Sequence, residues 1–152
     1  MDNKVNKPLH ILLVEDSEGD IFLIQEAFDE ANITVNFSLV NDGRDAIDFL
    51  RKDGEFLDAM TPDIVLLDLN LPKMNGLEVL DIVKRDDQLK QIPVIMLTTS
   101  SSPDDIQKSY SSYVNSYIVK PSYFQNFIDI VKSVEDFWLE TSTLPNRVRT
   151  IT

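Results

Sequence analysis

Five side chains in this sequence have the types needed to handle a phosphoryl group, and each stands at the end of a short apolar run. Glu15 and Asp16 follow Ile11-Leu-Leu-Val14, Asp68 follows Ile64-Val-Leu-Leu67, Thr98 follows Val94-Ile-Met-Leu97, and Lys120 follows a weaker run ending at Val119. Three carboxylates brought together repel one another and raise each other's pKa. A hard cation removes that conflict. Magnesium prefers oxygen ligands and keeps several waters, so one or two carboxylates plus a phosphate oxygen suit it, with manganese as an alternative ion. On this reading Asp16 and Asp68 bind directly, Glu15 binds directly or through water, and a backbone carbonyl just after Asp68 completes the protein's share. A carboxylate is also a nucleophile toward phosphorus and can form an aspartyl phosphate. Lys120 supplies a point charge to one oxygen of such a group and Thr98 a hydroxyl donor to another, which completes a phosphoryl-transfer set around Asp68.

Each residue alone has a plainer explanation. Glu15-Asp16 ahead of a helix complements the helix dipole, Asp68 could be a turn residue, Lys120 a solvated charge and Thr98 a satisfied strand-end hydroxyl. Their joint occurrence at successive strand ends is what favours chemistry.

The elements that must position them are legible from periodicity. The three strong apolar runs are continuous rather than alternating, as in strands buried on both faces of a parallel sheet, and Val35 to Val40 and Val114 to Val119 read as two weaker strands. Between them lie segments of helical spacing. Ile21, Ile24, Gln25, Phe28 and Ala31 mark one, widened by Phe22 and Leu23. Ala46, Ile47, Phe49 and Leu50 mark a second, and Leu77, Val79, Leu80 and Val83 a third. Ser102 and Pro103 read as N-cap and first residue of a fourth, and Phe124, Phe127, Ile128, Val131, Val134 and Trp138 mark a fifth. Strand and helix alternate five times, which implies an open α/β doubly wound sheet with ligands outside the carboxyl ends of its strands. The expected division is an N-terminal arm over 1–8, one domain over 9–140 and a C-terminal extension over 141–152.

Bulk properties agree. The 152 residues suffice for one core, 43% are hydrophobic and 26% charged, and there are no cysteines, so disulfides and thiolate metal sites are excluded. A single histidine, His10, excludes a multi-histidine site within the chain. The net charge of -12 disfavours nucleic acid and anionic membrane surfaces and suits a divalent cation or a basic partner face. The polar start and the short apolar runs give no signal segment or membrane span, so a cytoplasmic protein is expected.

Four blocks then resemble the signature blocks of the response-regulator receiver family: Leu12-Leu-Val-Glu-Asp16, Asp63 through Gly76, Pro93-Val-Ile-Met-Leu-Thr-Thr99 and Tyr117-Ile-Val-Lys-Pro121. The resemblance covers roughly 9 to 135. It implies a flavodoxin-like (βα)5 sheet in the order 2-1-3-4-5, Asp68 as phosphoacceptor from a histidine kinase, and a magnesium ion on Asp16 and the Asn70 carbonyl. It further implies Thr98 as the switch hydroxyl, Tyr117 as the aromatic that turns with it, Lys120 on the phosphoryl group and a cis bond before Pro121. Such a switch alters the face built by the fourth helix, fifth strand and fifth helix, which here carries Tyr110, Tyr113, Tyr117, Tyr123 and Phe124. These aromatics are either ordinary core or scattered surface residues, or a surface for a homodimer or partner. Phe137 and Trp138 on the last helix could pack against a partner chain.

A narrower likeness is to the small regulators that partner bacterial phytochromes, carried by Glu15-Asp-Ser-Glu-Gly-Asp20, Asp68 through Lys73, Phe137-Trp-Leu-Glu-Thr141 and Leu144-Pro145. It implies a phytochrome-type histidine kinase as donor. Two departures stand out. Glu15 occupies a place where many receivers carry Asp, and β-branched Thr99 replaces a smaller residue, which should hinder attacking water and lengthen the phosphorylated lifetime. About a dozen residues follow the fifth helix, too few for an output domain, so output through protein contact or onward phosphotransfer is expected. A receiver-like binding module working without phosphorylation is the main alternative. A phosphatase using Asp68 as nucleophile is disfavoured by Asn70, which cannot serve as the general acid two positions on. A flavodoxin-like cofactor binder lacks its Gly-rich loop.

Overall fold

The computed structural model describes residues 8–136. Its elements alternate strictly: β1 (Leu9–Val14), α1 (Glu18–Glu30), β2 (Val35–Val40), α2 (Gly43–Arg51), a 3-10 turn (Gly54–Phe56), β3 (Ile64–Leu67), α3 (Gly76–Arg85), β4 (Val94–Thr98), α4 (Pro103–Ser111), β5 (Ser116–Val119) and α5 (Phe124–Val134). All strand pairs are parallel and the sheet order is β2-β1-β3-β4-β5, as the resemblance implied.

The continuous apolar runs follow from a sheet covered on both faces. Side chains alternate across a strand, so Leu12, Val14, Val65, Leu67, Val94 and Met96 join one core with α2 and α3. Ile11, Leu13, Ile64, Leu66, Ile95 and Leu97 join the other with α1 and α5. The apolar positions foreseen for α2 are all buried, and Val79, Leu80 and Val83 bury α3 while Leu77 is half-buried. On α1, Phe22 does not widen the apolar face; it is 61% exposed. Phe124 at the start of α5 is likewise partly exposed, whereas Phe127, Ile128, Val131 and Val134 are buried. Trp138, Phe137 and the boundary at residue 140 lie outside the described residues.

Four helices start at the carboxyl rim of the sheet with a side-chain cap. Ser17, Asp42, Asn75 and Ser102 each accept the backbone N–H three positions on, from Asp20, Asp45, Glu78 and Asp105. Such caps are worth about 1 kcal/mol each and fix the angle at which each loop delivers its polar residues to the rim.

The weaker fifth strand begins at Ser116 rather than Val114. Val114 is instead buried in the preceding loop, and Asn115 is diverted to capping: its Oδ1 accepts the Val94 amide at 2.9 Å and the Lys84 ammonium at 3.0 Å. Lys84 Nζ also donates to the Lys90 and Ile92 carbonyls at 3.0 and 2.9 Å. One amine thus ties α3 to the segments leading into β4 and β5 at the amino rim of the sheet. Burial pushes that amine below the usual lysine range. Among the described residues no helix is long and apolar enough to cross a membrane.

Candidate phosphoryl and metal site

Parallel strands in this order place the ends of β1, β3, β4 and β5 side by side. Glu15 and Asp16 leave β1, Asp68 leaves β3, Thr98 closes β4 and Lys120 leaves β5. Oxygens of Glu15, Asp16 and Asp68 lie within 4.8 Å of one another. Glu15, Asp68, Thr98 and Lys120 are buried, and Asp16 is exposed. An all-oxygen cluster with one solvent-facing member fits a magnesium or manganese ion that keeps part of its water shell, and neither thiolate nor imidazole contributes.

Lys120 is the electrostatic centre. Its Nζ donates to Glu15 Oε1 at 2.5 Å, Asp20 Oδ2 at 2.8 Å and Asp68 Oδ2 at 3.0 Å. Burial alone would lower its pKa, but hydrogen bonds to Asp20 and Glu15 and the charges of Asp68 and Glu15 outweigh that and hold it above the ordinary lysine range. The lysine stays protonated at any working pH. Glu15 responds oppositely. Burial, reinforced by the Asp68 charge, pushes its carboxyl up to about 7, against the hydrogen bonds from Lys120 and the Ser17 amide. Its second oxygen accepts the Asp16 and Ser17 amides, each at 3.1 Å. Glu15 therefore stands between two duties, partner of Lys120 and member of the acidic cluster.

A pH dependence follows. A carboxyl raised from 4.5 to about 7 in the fold favours the folded state fully below its unfolded value, and that contribution is lost as pH rises through 7. A cation needs the ionised form, so protons and metal compete. Magnesium affinity of the full chain, measured by calorimetry, is expected to climb up to about tenfold per pH unit below about pH 7 and to flatten above it, with release of up to one proton per ion. A flat profile over that range would remove Glu15 from the metal-linked groups.

The loop after β3 is shaped by two close backbone approaches. A Cβ on Gly76 would lie 2.2 Å from the Asp68 carbonyl oxygen and 2.8 Å from Leu69 Cα, and one on Gly43 would lie 1.9 Å from the Met74 carbonyl oxygen. The Gly76 amide closes the loop onto the Leu69 carbonyl at 2.8 Å, and Lys73, at a φ of 65°, reaches Asp42 at 3.5 Å. Asn70 donates its amide to Asp68 Oδ1 at 3.3 Å, turning the loop around the carboxylate. A Gly76→Ala variant should shift that carboxylate and lose about 2–4 kcal/mol in urea unfolding, because the obstacle is backbone and cannot rotate away. Unchanged stability would mean that the loop yields.

The remaining foreseen residues fall as follows. Thr98 is fully buried, and its Oγ1 accepts the Ser100 amide at 3.4 Å. Tyr117 is half-buried and donates its hydroxyl to the Ser100 carbonyl at 2.8 Å, while Ser100 Oγ donates to Asp105 on α4 at 2.6 Å. Ser100 therefore joins Thr98, Tyr117 and the fourth helix, a place not read from the sequence. Tyr110, Tyr113 and Tyr123 are 51%, 76% and 74% exposed, so the reading of these aromatics as core does not hold. Thr99 is exposed. The bond before Pro121 is trans, not cis, and no cis peptide occurs among the described residues. A proline amide prefers trans slightly unless a tight turn imposes cis, and Lys120 reaches the Thr98 carbonyl through its own N–H at 2.7 Å with the following bond trans. Asp20 is the residue that reasoning from strand ends overlooked. Its signal was its place three positions after the N-cap Ser17, in the first turn of the helix that leaves the rim beside Glu15 and Asp16.

Comparison with known proteins matches the response regulator receiver domain over residues 11–132. The chain belongs to the response regulator receiver family. Among its relatives is "Response regulator Rcp1" from Synechocystis sp., 43% identical over 145 residues, spanning 95% of this chain and 99% of that protein. Another is the "Probable methanogenesis regulatory protein FilR2" from Methanothrix harundinacea, 42% identical over 138 residues and spanning 91% and 88%. Similar solved receivers include the phosphorylated cyanobacterial phytochrome response regulator RcpA, with a TM-score of 0.86 and 47% identity over 91% of this chain and 99% of that one. The Mn(2+)-bound form of Rcp1 follows at 0.83 and 44%, with the same coverage. Receiver membership agrees with the parallel order of the sheet and with the acidic cluster, which can hold a divalent ion.

Proposed function

We propose that this receiver accepts a phosphoryl group on Asp68 from a phytochrome-type histidine kinase. The observation that carries the reading is the buried contact of the Lys120 ammonium with Asp68, 3.0 Å away, beside an acidic cluster that can hold a cation. An Asp68 oxygen attacks phosphorus in line, the bond from phosphorus to the donor's imidazole nitrogen breaks, and that nitrogen keeps the electron pair. Lys120 remains protonated and donates to one phosphoryl oxygen. Thr98 donates its hydroxyl to another. Glu15, Asp16 and Asp68, with the Asn70 carbonyl, would hold a magnesium ion, which when bound offsets the negative charge gathered at the site.

The phytochrome assignment is supported by the likeness to RcpA and to the regulator RPA3017 "in red light signaling of R. palustris", which is 34% identical with a TM-score of 0.85. The output surface in this proposal is the face of α4, β5 and α5. Tyr110, Tyr113, Tyr123, Phe124 and Val119 are exposed there, as suits a homodimer or a protein partner. Drawing Thr98 toward the phosphoryl group pulls on Ser100, and through it on Tyr117 and α4.

The test is phosphotransfer. Incubation with a phosphorylated phytochrome kinase and magnesium should label the chain at Asp68, located by peptide mapping, and do so faster than an unrelated histidine kinase. Label from neither kinase nor acetyl phosphate would favour a binding module that works unphosphorylated. Label at equal rates from both kinases would remove the phytochrome assignment.

A further inference from the structure

We propose that Asp20 is a positioning residue that competes with the incoming phosphoryl group for Lys120 and so limits how tightly that group is held. The inference rests on Asp68 being the acceptor.

An ammonium has three N–H donors, and all three of Lys120 are directed at carboxylates: Glu15, Asp20 and Asp68. The three partners differ in what phosphorylation does to them. Asp68 loses its charge as its oxygen becomes bonded to phosphorus. Glu15 is a member of the acidic cluster and would turn toward a cation bound there. Asp20 is outside that cluster, comes from the first turn of α1, and is fixed there by its own amide, which donates to the capping Ser17 Oγ at 3.3 Å. Its claim on the ammonium therefore persists through the reaction.

Two effects then act in one direction. Asp20 retains one N–H that a phosphoryl oxygen could otherwise share. Its charge also repels a group that itself carries roughly two negative charges. The Lys120 side chain is 4% exposed, so its interactions are little screened, while Asp20 at 32% is partly screened. Were Asp20 only an anchor for a floppy lysine, removing its charge would weaken the phosphoryl contact. The burial points the other way, because a lysine side chain only 4% exposed is held inside the sheet rim by the packing around it, whether or not Asp20 is charged.

The experiment measures beryllofluoride binding, a stand-in for the phosphoryl group on Asp68, by calorimetry on the full chain at saturating magnesium. Wild type, Asp20→Asn and Asp20→Glu are compared, with magnesium binding measured separately on each. Asp20→Asn is expected to bind beryllofluoride roughly three- to tenfold more tightly than wild type, with an advantage that shrinks as salt is raised. Its magnesium affinity should be no greater than that of wild type, and Asp20→Glu, which restores the charge, should return beryllofluoride binding close to the wild-type value. Equal or weaker binding by Asp20→Asn overturns the competition. If wild type binds magnesium but no beryllofluoride, the acceptor reading fails as well, and the two failures are told apart.

Discussion

An Asp68→Asn variant is expected to take up no phosphoryl group from any donor, and yet to be at least as stable as wild type when metal is absent. The first half follows from chemistry, since an amide oxygen is too poor a nucleophile to displace imidazole from phosphorus. The second follows from the charge pattern. Three carboxylates surround one ammonium, and the Asp68 charge helps push Glu15 up to about 7. Asparagine keeps an acceptor for Lys120 while removing a like charge from Glu15. Urea unfolding in chelator at about pH 8 should show a gain of up to about 1–2 kcal/mol, the scale on which buried charges cost stability. Magnesium affinity should fall, since one ligand loses its charge. Retained phosphorylation would move the acceptor elsewhere, and a marked loss of stability would mean that the ammonium needs all three of its partners.

Lys120→Met should have the largest effect on stability. Lys120 and Glu15 have side chains 4% and 2% exposed, and Asp68 is 8% exposed. Removing the ammonium leaves two buried carboxylates facing each other. Breaking a buried ion pair from one side costs about 3–5 kcal/mol. The cost should shrink as pH falls below about 7, where Glu15 takes up a proton, and be partly recovered by millimolar magnesium, which replaces the missing positive charge. Phosphoryl uptake should fall sharply even with the metal restored, because no ammonium then meets the phosphoryl oxygens. A variant equally stable with and without magnesium would show that the carboxylates relax into solvent instead of competing for a cation.

The strand ends were legible because position and chemistry coincide there. Glu15, Asp68 and Thr98 each follow an unbroken apolar run and Lys120 a weaker one, and the first polar residue where a strand leaves a doubly covered sheet stands at its carboxyl rim. Asp20 was not legible by the same rule, since it sits on a helix and reaches the site across 100 positions of sequence to Lys120. Ser100 escaped notice because it acts through a carbonyl and a hydroxyl within an irregular loop. The two close-packed glycines escaped because a missing side chain signals nothing until the backbone that would meet it is placed. Phe22 shows the limit of periodicity: adjacent to the apolar stripe of α1 in sequence, it faces outward in the fold. The offset of the fifth strand has a similar origin, since Val114 reads as strand by composition while Asn115 is occupied by Lys84 and Val94.

That lysine has a mechanical consequence. By gripping Lys90, Ile92 and Asn115, Lys84 staples together the base from which the fourth and fifth strands rise. Tension applied at the opposite end, where Thr98 and Ser100 sit, therefore works against a fixed footing. If phosphorylation draws Thr98 inward, displacement is expected to be largest at the start of the fourth helix, beside Ser100 and Ser102, and smallest near Tyr113, two residues from the gripped Asn115.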